Sequence, residues 1–123
     1  MKKLFFIAGL FGVIMLNSCY YDNMEELFPD TGGTCDTTNI TFSGTVMPIL
    51  QSYCLGCHSG SAPSGNIVIE NYDDVVGLVH SGKLMGSIRF EQGYSPMPKG
   101  GNKLSDCNIT KIEHWIADGM LNN

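Results

Sequence analysis

Cys54-Leu55-Gly56-Cys57-His58 is the stretch on which the rest of the chain turns. Two thiols at this spacing can reach the two vinyl groups of one porphyrin and close two thioether bonds. The imidazole directly after the second thiol then falls beneath the porphyrin iron, where it suits the fifth coordination position. Cys54 and Cys57 are therefore the expected attachment residues, and His58 the expected proximal ligand, of one covalently held haem c. A zinc site would require two further Cys or His ligands at close spacing, and none stands near. A thioredoxin-like C-x-x-C would sit in a βαβ pattern, which the flanking sequence lacks.

Working outward from this motif, the expected elements are helices. Thr41 to Tyr53 carries Val46, Ile49, Leu50 and Tyr53 on one face, with Ser43 as an expected N-cap. Pro48 lacks a donor, so regular helix is expected to begin near Met47. After the motif, Gly60 to Gly65 reads as a loop and Ile67-Val68-Ile69 as a short β-favouring run. Tyr72 to His80 and Lys83 to Phe90 are short helix candidates, divided by Ser81-Gly82. Gly93 to Asn102 reads as a Gly- and Pro-rich loop of fixed shape. Leu104 to Gly119 is the strongest helix, with Ser105 as N-cap, Asp106 in the first turn, a stripe of Ile109, Ile112 and Ile116 with Trp115 beside it, and Gly119 as the C′ residue. The fold class expected is all-α.

The start of the chain has the look of an export signal. Lys2 and Lys3 precede an apolar run from Leu4 to Leu16, which is short for a membrane span. Leu16-Asn17-Ser18-Cys19 resembles a bacterial lipoprotein signal, in which Cys19 becomes the lipid-modified first residue. An ordinary secretory signal with an incidental cysteine, or an uncleaved anchor, are the alternatives. Each places the chain outside the cytoplasm, on the periplasmic or cell-surface side of a membrane. Residues 1–18 are then the signal, 19–38 an acidic tether, and 39–123 one domain. A domain of this size has room for only a small core, so a bound haem would supply much of its apolar interior.

The formal charge of the 123-residue chain is −5, and it becomes −7 without Lys2 and Lys3. From Cys19 to Gly82 there are eight acidic residues and no Lys or Arg. From Lys83 to Lys103, Lys83, Arg89, Lys99 and Lys103 stand against Glu91. An exported chain this acidic is a poor partner for nucleic acid. The basic segment reads either as a solvated surface or as a docking face.

The helix leading into Cys54-Leu55-Gly56-Cys57-His58, the run Tyr94-Ser95-Pro96-Met97-Pro98-Lys99-Gly100-Gly101, and a final helix opened by Leu104-Ser105 and holding Ile112, Trp115-Ile116 and Asp118-Gly119 together resemble the small class I cytochrome c family. The resemblance spans about Ile40 to Met120. It implies short helices around one haem, and an electron carrier rather than an enzyme in its own right. Many members use a proline carbonyl to hold the proximal histidine; Pro63 is the nearest candidate, and the partner of the second ring nitrogen stays open.

Met97 is the expected distal ligand. It lies between Pro96 and Pro98, which hold the backbone extended, and it falls where the family carries its ligand. A thioether favours Fe(II) over Fe(III) and shuts water and O₂ out. Met47, Met85 and Met120 read as core filling, and His80 and His114 as surface residues that are weaker rivals. Cys35 and Cys107 are left over. In an oxidising compartment they form a natural disulfide pair, with two free thiols or a bond to another protein as alternatives.

Two functions follow from these expectations. One is a one-electron carrier with both axial positions filled, served by a redox-protein donor and acceptor, including a membrane oxidoreductase, and held at the bilayer through Cys19. The other is a ligand-binding haem sensor or weak peroxidase with an openable sixth position.

Overall fold

The computed structural model describes residues 35–123. The expected signal segment, Cys19 and the tether as far as residue 34 lie outside the described residues. The compact unit runs from Cys35 to Asn123. Among its residues every regular element is helical and no strand is present, in keeping with the all-α class. None of these helices is long and apolar enough to cross a membrane.

The first helical stretch opens one turn earlier than regular α-helix would. Thr41 is extended, and its Oγ1 accepts the Gly44 N–H at 3.0 Å. Thr41 rather than Ser43 is thus the cap; Ser43 is already inside the turn, donating its N–H to the carbonyl of Asn123 at 2.9 Å. Phe42–Val46 form a π-helical turn, and α1 follows as Met47–Tyr53. The wide turn fits the sequence physically. Pro48 has no N–H to give, and the Val46 and Met47 donors reach back five residues, to Thr41 and Phe42.

Cys54 leaves helical geometry at φ −121°, and the short α2, Leu55–His58, restarts from it. A 3₁₀ turn at Ser64–Asn66 ends the loop. Ile67-Val68-Ile69 is extended as its β-branched residues favour, but it pairs with no strand. Helix α3, Tyr72–His80, begins in a capping box. The Asn71 side chain accepts from Asp74 N–H, and the Asp74 carboxylate accepts from Asn71 N–H. Helix α4, Lys83–Arg89, stops where Phe90 turns left-handed.

Helix α5, Asp106–Ala117, is capped by Ser105, whose Oγ accepts the Asn108 N–H at 3.2 Å. Its end is a Schellman motif: Met120 N–H reaches Trp115 O, Gly119 N–H reaches Ile116 O, and Gly119 takes φ +91°. Ile109, Ile112 and Trp115 carry the buried stripe, and Ile116 is half-buried. The indole therefore occupies the place expected for Ile116. Trp115 stands 5.5 Å from Phe42, which meets Tyr72 edge-on at 5.2 Å. This aromatic cluster joins α5, the π-turn and α3.

The chain behind α5 fastens the same corner. Tyr72 Oη donates to Met120 O at 2.6 Å and Trp115 Nε1 to Leu121 O at 2.9 Å. Asn123 Oδ1 accepts the Phe42 N–H at 2.9 Å. Two of the orphan donors at the start of the π-turn are thus satisfied from the far end of the sequence.

Candidate cofactor site

A cavity of about 420 Å³ opens between three walls. Cys54 and His58 stand on the first, with Ile67 and Ile69 beside them. Leu78, at the end of α3, and Leu84, Ser87 and Ile88 of α4 form the second. The loop from Gly93 to Met97 forms the third. Its size lies within the roughly 300–1,000 Å³ of ordinary small-molecule and cofactor sites. Its surface is predominantly apolar, and among the described residues Lys83 is the one charged residue lining it.

His58 is held from both sides by the extended run. Its Nδ1 lies 3.2 Å from the carbonyl oxygen of Ile67, and its own carbonyl accepts the Ile69 N–H at 2.7 Å. With Nδ1–H donating to Ile67, the lone pair is left on Nε2. The imidazole is 8% exposed. Its carbonyl partner is Ile67 rather than Pro63, which instead accepts the Asn66 N–H in the 3₁₀ turn. The β-favouring character of residues 67–69 pointed to extended backbone, and such backbone offers a free acceptor when no neighbouring strand uses it.

Cys54 and Cys57 differ in setting. Cys54 is half-buried on the cavity wall, and burial pushes its thiol up to about 11. Cys57 is exposed and outside the cavity lining, one helical turn further along. The amides of Cys57 and His58 both donate to the Cys54 carbonyl, so the motif turns as one tight unit.

Met97 also lines the cavity and is half-buried. Its N–H donates to Ser87 O at 3.1 Å, tying the loop to α4. The chain thus brings Cys54, His58 and Met97 to one apolar cavity, where an imidazole and a thioether are available to a single bound group. His80, His114, Met47, Met85 and Met120 are not among the lining residues. Cys35 and Cys107 lie away from the cavity, their sulfurs 2.03 Å apart and their Cα atoms 5.4 Å apart.

One wall residue, Tyr94, stood in the quoted loop without a role of its own. Tyr94 lies along α4 over Gly82 and Gly86: a Cβ placed on Gly86 would overlap the ring, and one on Gly82 would stand 2.8 Å from Oη. A glycine just before the helix and another four residues on inside it, followed by an aromatic residue in the next loop, were the available signal.

Of the cations in the basic segment, Arg89 pairs with Glu91 at 3.2 Å and with Glu113 on α5, and Lys103 approaches Asp106 at 3.4 Å. The two carboxylates raise the Arg89 guanidinium further above its ordinary value, that of Glu113 most strongly. Lys99 makes no ion pair among the described residues.

No family model, no curated protein and no solved structure matches this chain.

Proposed function

We propose that this chain is a one-electron carrier of the class I cytochrome c kind, with one haem c attached through Cys54 and Cys57 and axially ligated by His58 and Met97. The observation that carries the proposal is the sharing of one apolar cavity by Cys54, His58 and Met97. The donor set fits the group: an imidazole with its Nδ1 already engaged and a soft thioether line one cavity with Ile and Leu. Cys54 and Cys57 would hold the haem through thioether bonds, an attachment that needs no oxidant or reductant. When bound, the haem supplies the Fe(III)/Fe(II) couple.

The chain's own residues do the rest. The Ile67 carbonyl fixes the tautomer and plane of His58. Met97 would supply the second ligand, and its N–H bond to Ser87 O ties its loop to α4. The Ile and Leu walls exclude water, so little solvent need reorganise when the charge on the site changes. Lys99, two residues beyond Met97 and without an ion-pair partner among the described residues, gives an acidic redox partner a point of approach. Lipid on Cys19 would confine the domain near a membrane, within reach of a membrane-bound donor or acceptor.

Intact mass and a redox titration of the exported protein test the proposal together. The expected result is the polypeptide mass plus one haem and a single reversible one-electron wave. A mass equal to the bare polypeptide would overturn it.

A further inference from the structure

We propose that Tyr94 is the positioning residue of the distal wall: its ring, seated on Gly82 and Gly86, holds the Met97 loop closed against α4. The inference rests on the His58/Met97 ligation argued above and goes beyond it to what keeps Met97 in place.

The loop has two attachments to α4. One is the hydrogen bond from Met97 N–H to Ser87 O. The other is the Tyr94 ring, which occupies the groove that Gly82 and Gly86 leave where any other residue would put a Cβ. Gly86 is buried beneath it. Ring and sulfur are coupled by the chain between them. Pro96 fixes its own φ, and Ser95 and Met97, each preceding a proline, have a restricted backbone. Residues 94–97 therefore move as a stiff piece, and a ring lifted from the helix takes Met97 with it. The closest contact is made by the ring carbons at Gly86, while Oη only overlies Gly82; Tyr94 Oη makes no hydrogen bond among the described residues. The aromatic face, not the hydroxyl, carries the role.

An external ligand such as imidazole can bind iron only when Met97 has moved away, so its apparent affinity measures the fraction of loop that is open. The test titrates imidazole into the oxidised holoprotein and follows the weak near-infrared band of methionine-ligated ferric haem. Tyr94→Ala is expected to tighten imidazole binding by about tenfold and weaken the band, while Tyr94→Phe stays within about twofold of the parent. Gly86→Ala, which leaves Tyr94 intact but denies it its seat, is expected to behave as Tyr94→Ala does. A parent protein with the band, and Tyr94→Ala and Gly86→Ala proteins indistinguishable from it, would overturn the role of Tyr94 alone. A parent protein without the band would overturn the Met97 ligation and this inference with it.

Discussion

The Nδ1 of His58 and the carbonyl oxygen of Ile67 lie 3.2 Å apart, so the imidazole is oriented by a backbone group rather than by a side chain. A carbonyl cannot be titrated away or lost by substitution. The acceptor that orients the ring is therefore present whatever side chain occupies position 67.

Covalent attachment is expected to depend on the pair Cys54 and Cys57. The double substitution Cys54→Ala with Cys57→Ala should remove haem from the denatured protein on a gel stained for bound pigment. It should also leave a poorly folded polypeptide, since the 420 Å³ cavity at the centre of the site would lose its tethered filling. Circular dichroism of the purified variant measures the second effect.

Met97→Ala is expected to lower the reduction potential and to admit cyanide, CO or imidazole to the iron. Met85→Ala and Met120→Ala should not, because both side chains pack against the core and stand outside the cavity lining. Potentiometry with ligand titration separates the three. A Met97→Ala protein with the parent spectrum and ligand resistance would assign the sixth position to another residue.

Removal of the α3 cap should cost stability without changing the redox chemistry. Asn71 Oδ1 accepts the Asp74 N–H at 3.0 Å, and Asn71→Ala is expected to destabilise the domain by about 1 kcal/mol. For a domain of this size that corresponds to a fall in Tm of about 4–8 °C. Calorimetry of the holoprotein measures it, with the visible spectrum as the control.

Peptide mapping without reductant should recover Cys35 linked to Cys107. The closed loop spans a sequence separation of 72, and in the chain-entropy model such a link stabilises by about 4 kcal/mol. Recovery of both as free thiols from protein made in an oxidising compartment would refute the pair.

Two lysines of the basic segment should differ as docking residues. Lys103 already faces Asp106 at 3.4 Å, whereas Lys99 has no such neighbour among the described residues. Lys99→Glu is therefore expected to slow electron transfer to an acidic partner at low salt more than Lys103→Glu does. The parent rate should fall as salt screens the attraction beyond about 8 Å at physiological ionic strength. A parent rate indifferent to salt, with both variants unchanged, would make both lysines ordinary solvated surface.

The helices were largely legible because their signals are local. Ser105, Asp106 and Gly119 mark both ends of α5, and Tyr72 to His80 was readable to the residue. The cap at Thr41 was missed because Asn123, eighty residues away, takes both the Phe42 and the Ser43 N–H, which places Ser43 inside the turn. Trp115 outranked Ile116 for the same kind of reason, since its stacking partners Phe42 and Tyr72 come from distant segments. At the site, Cys54, His58 and Met97 were visible as residue types at telling positions. The Ile67 carbonyl was not, because every residue has one and only the fold selects which is used. The seat of Tyr94 was hidden in a similar way: glycine announces an absence, and what fills it is decided by the path of a later loop.

The three residues Ile67-Val68-Ile69 show where this chain can change length and where it cannot. Ile67 and Ile69 face the cavity while Val68, 37% exposed, faces out, and the two backbone groups that grip His58 belong to the inward pair. The segment therefore has a parity. One residue inserted within it would turn Val68 inward, push an isoleucine into water and offer His58 the wrong backbone group, all at once. The preceding Gly60-to-Gly65 loop, exposed along nearly its whole length, has no such frame to keep. Natural or engineered insertions between the motif and α3 should accumulate there and stop short of Ile67.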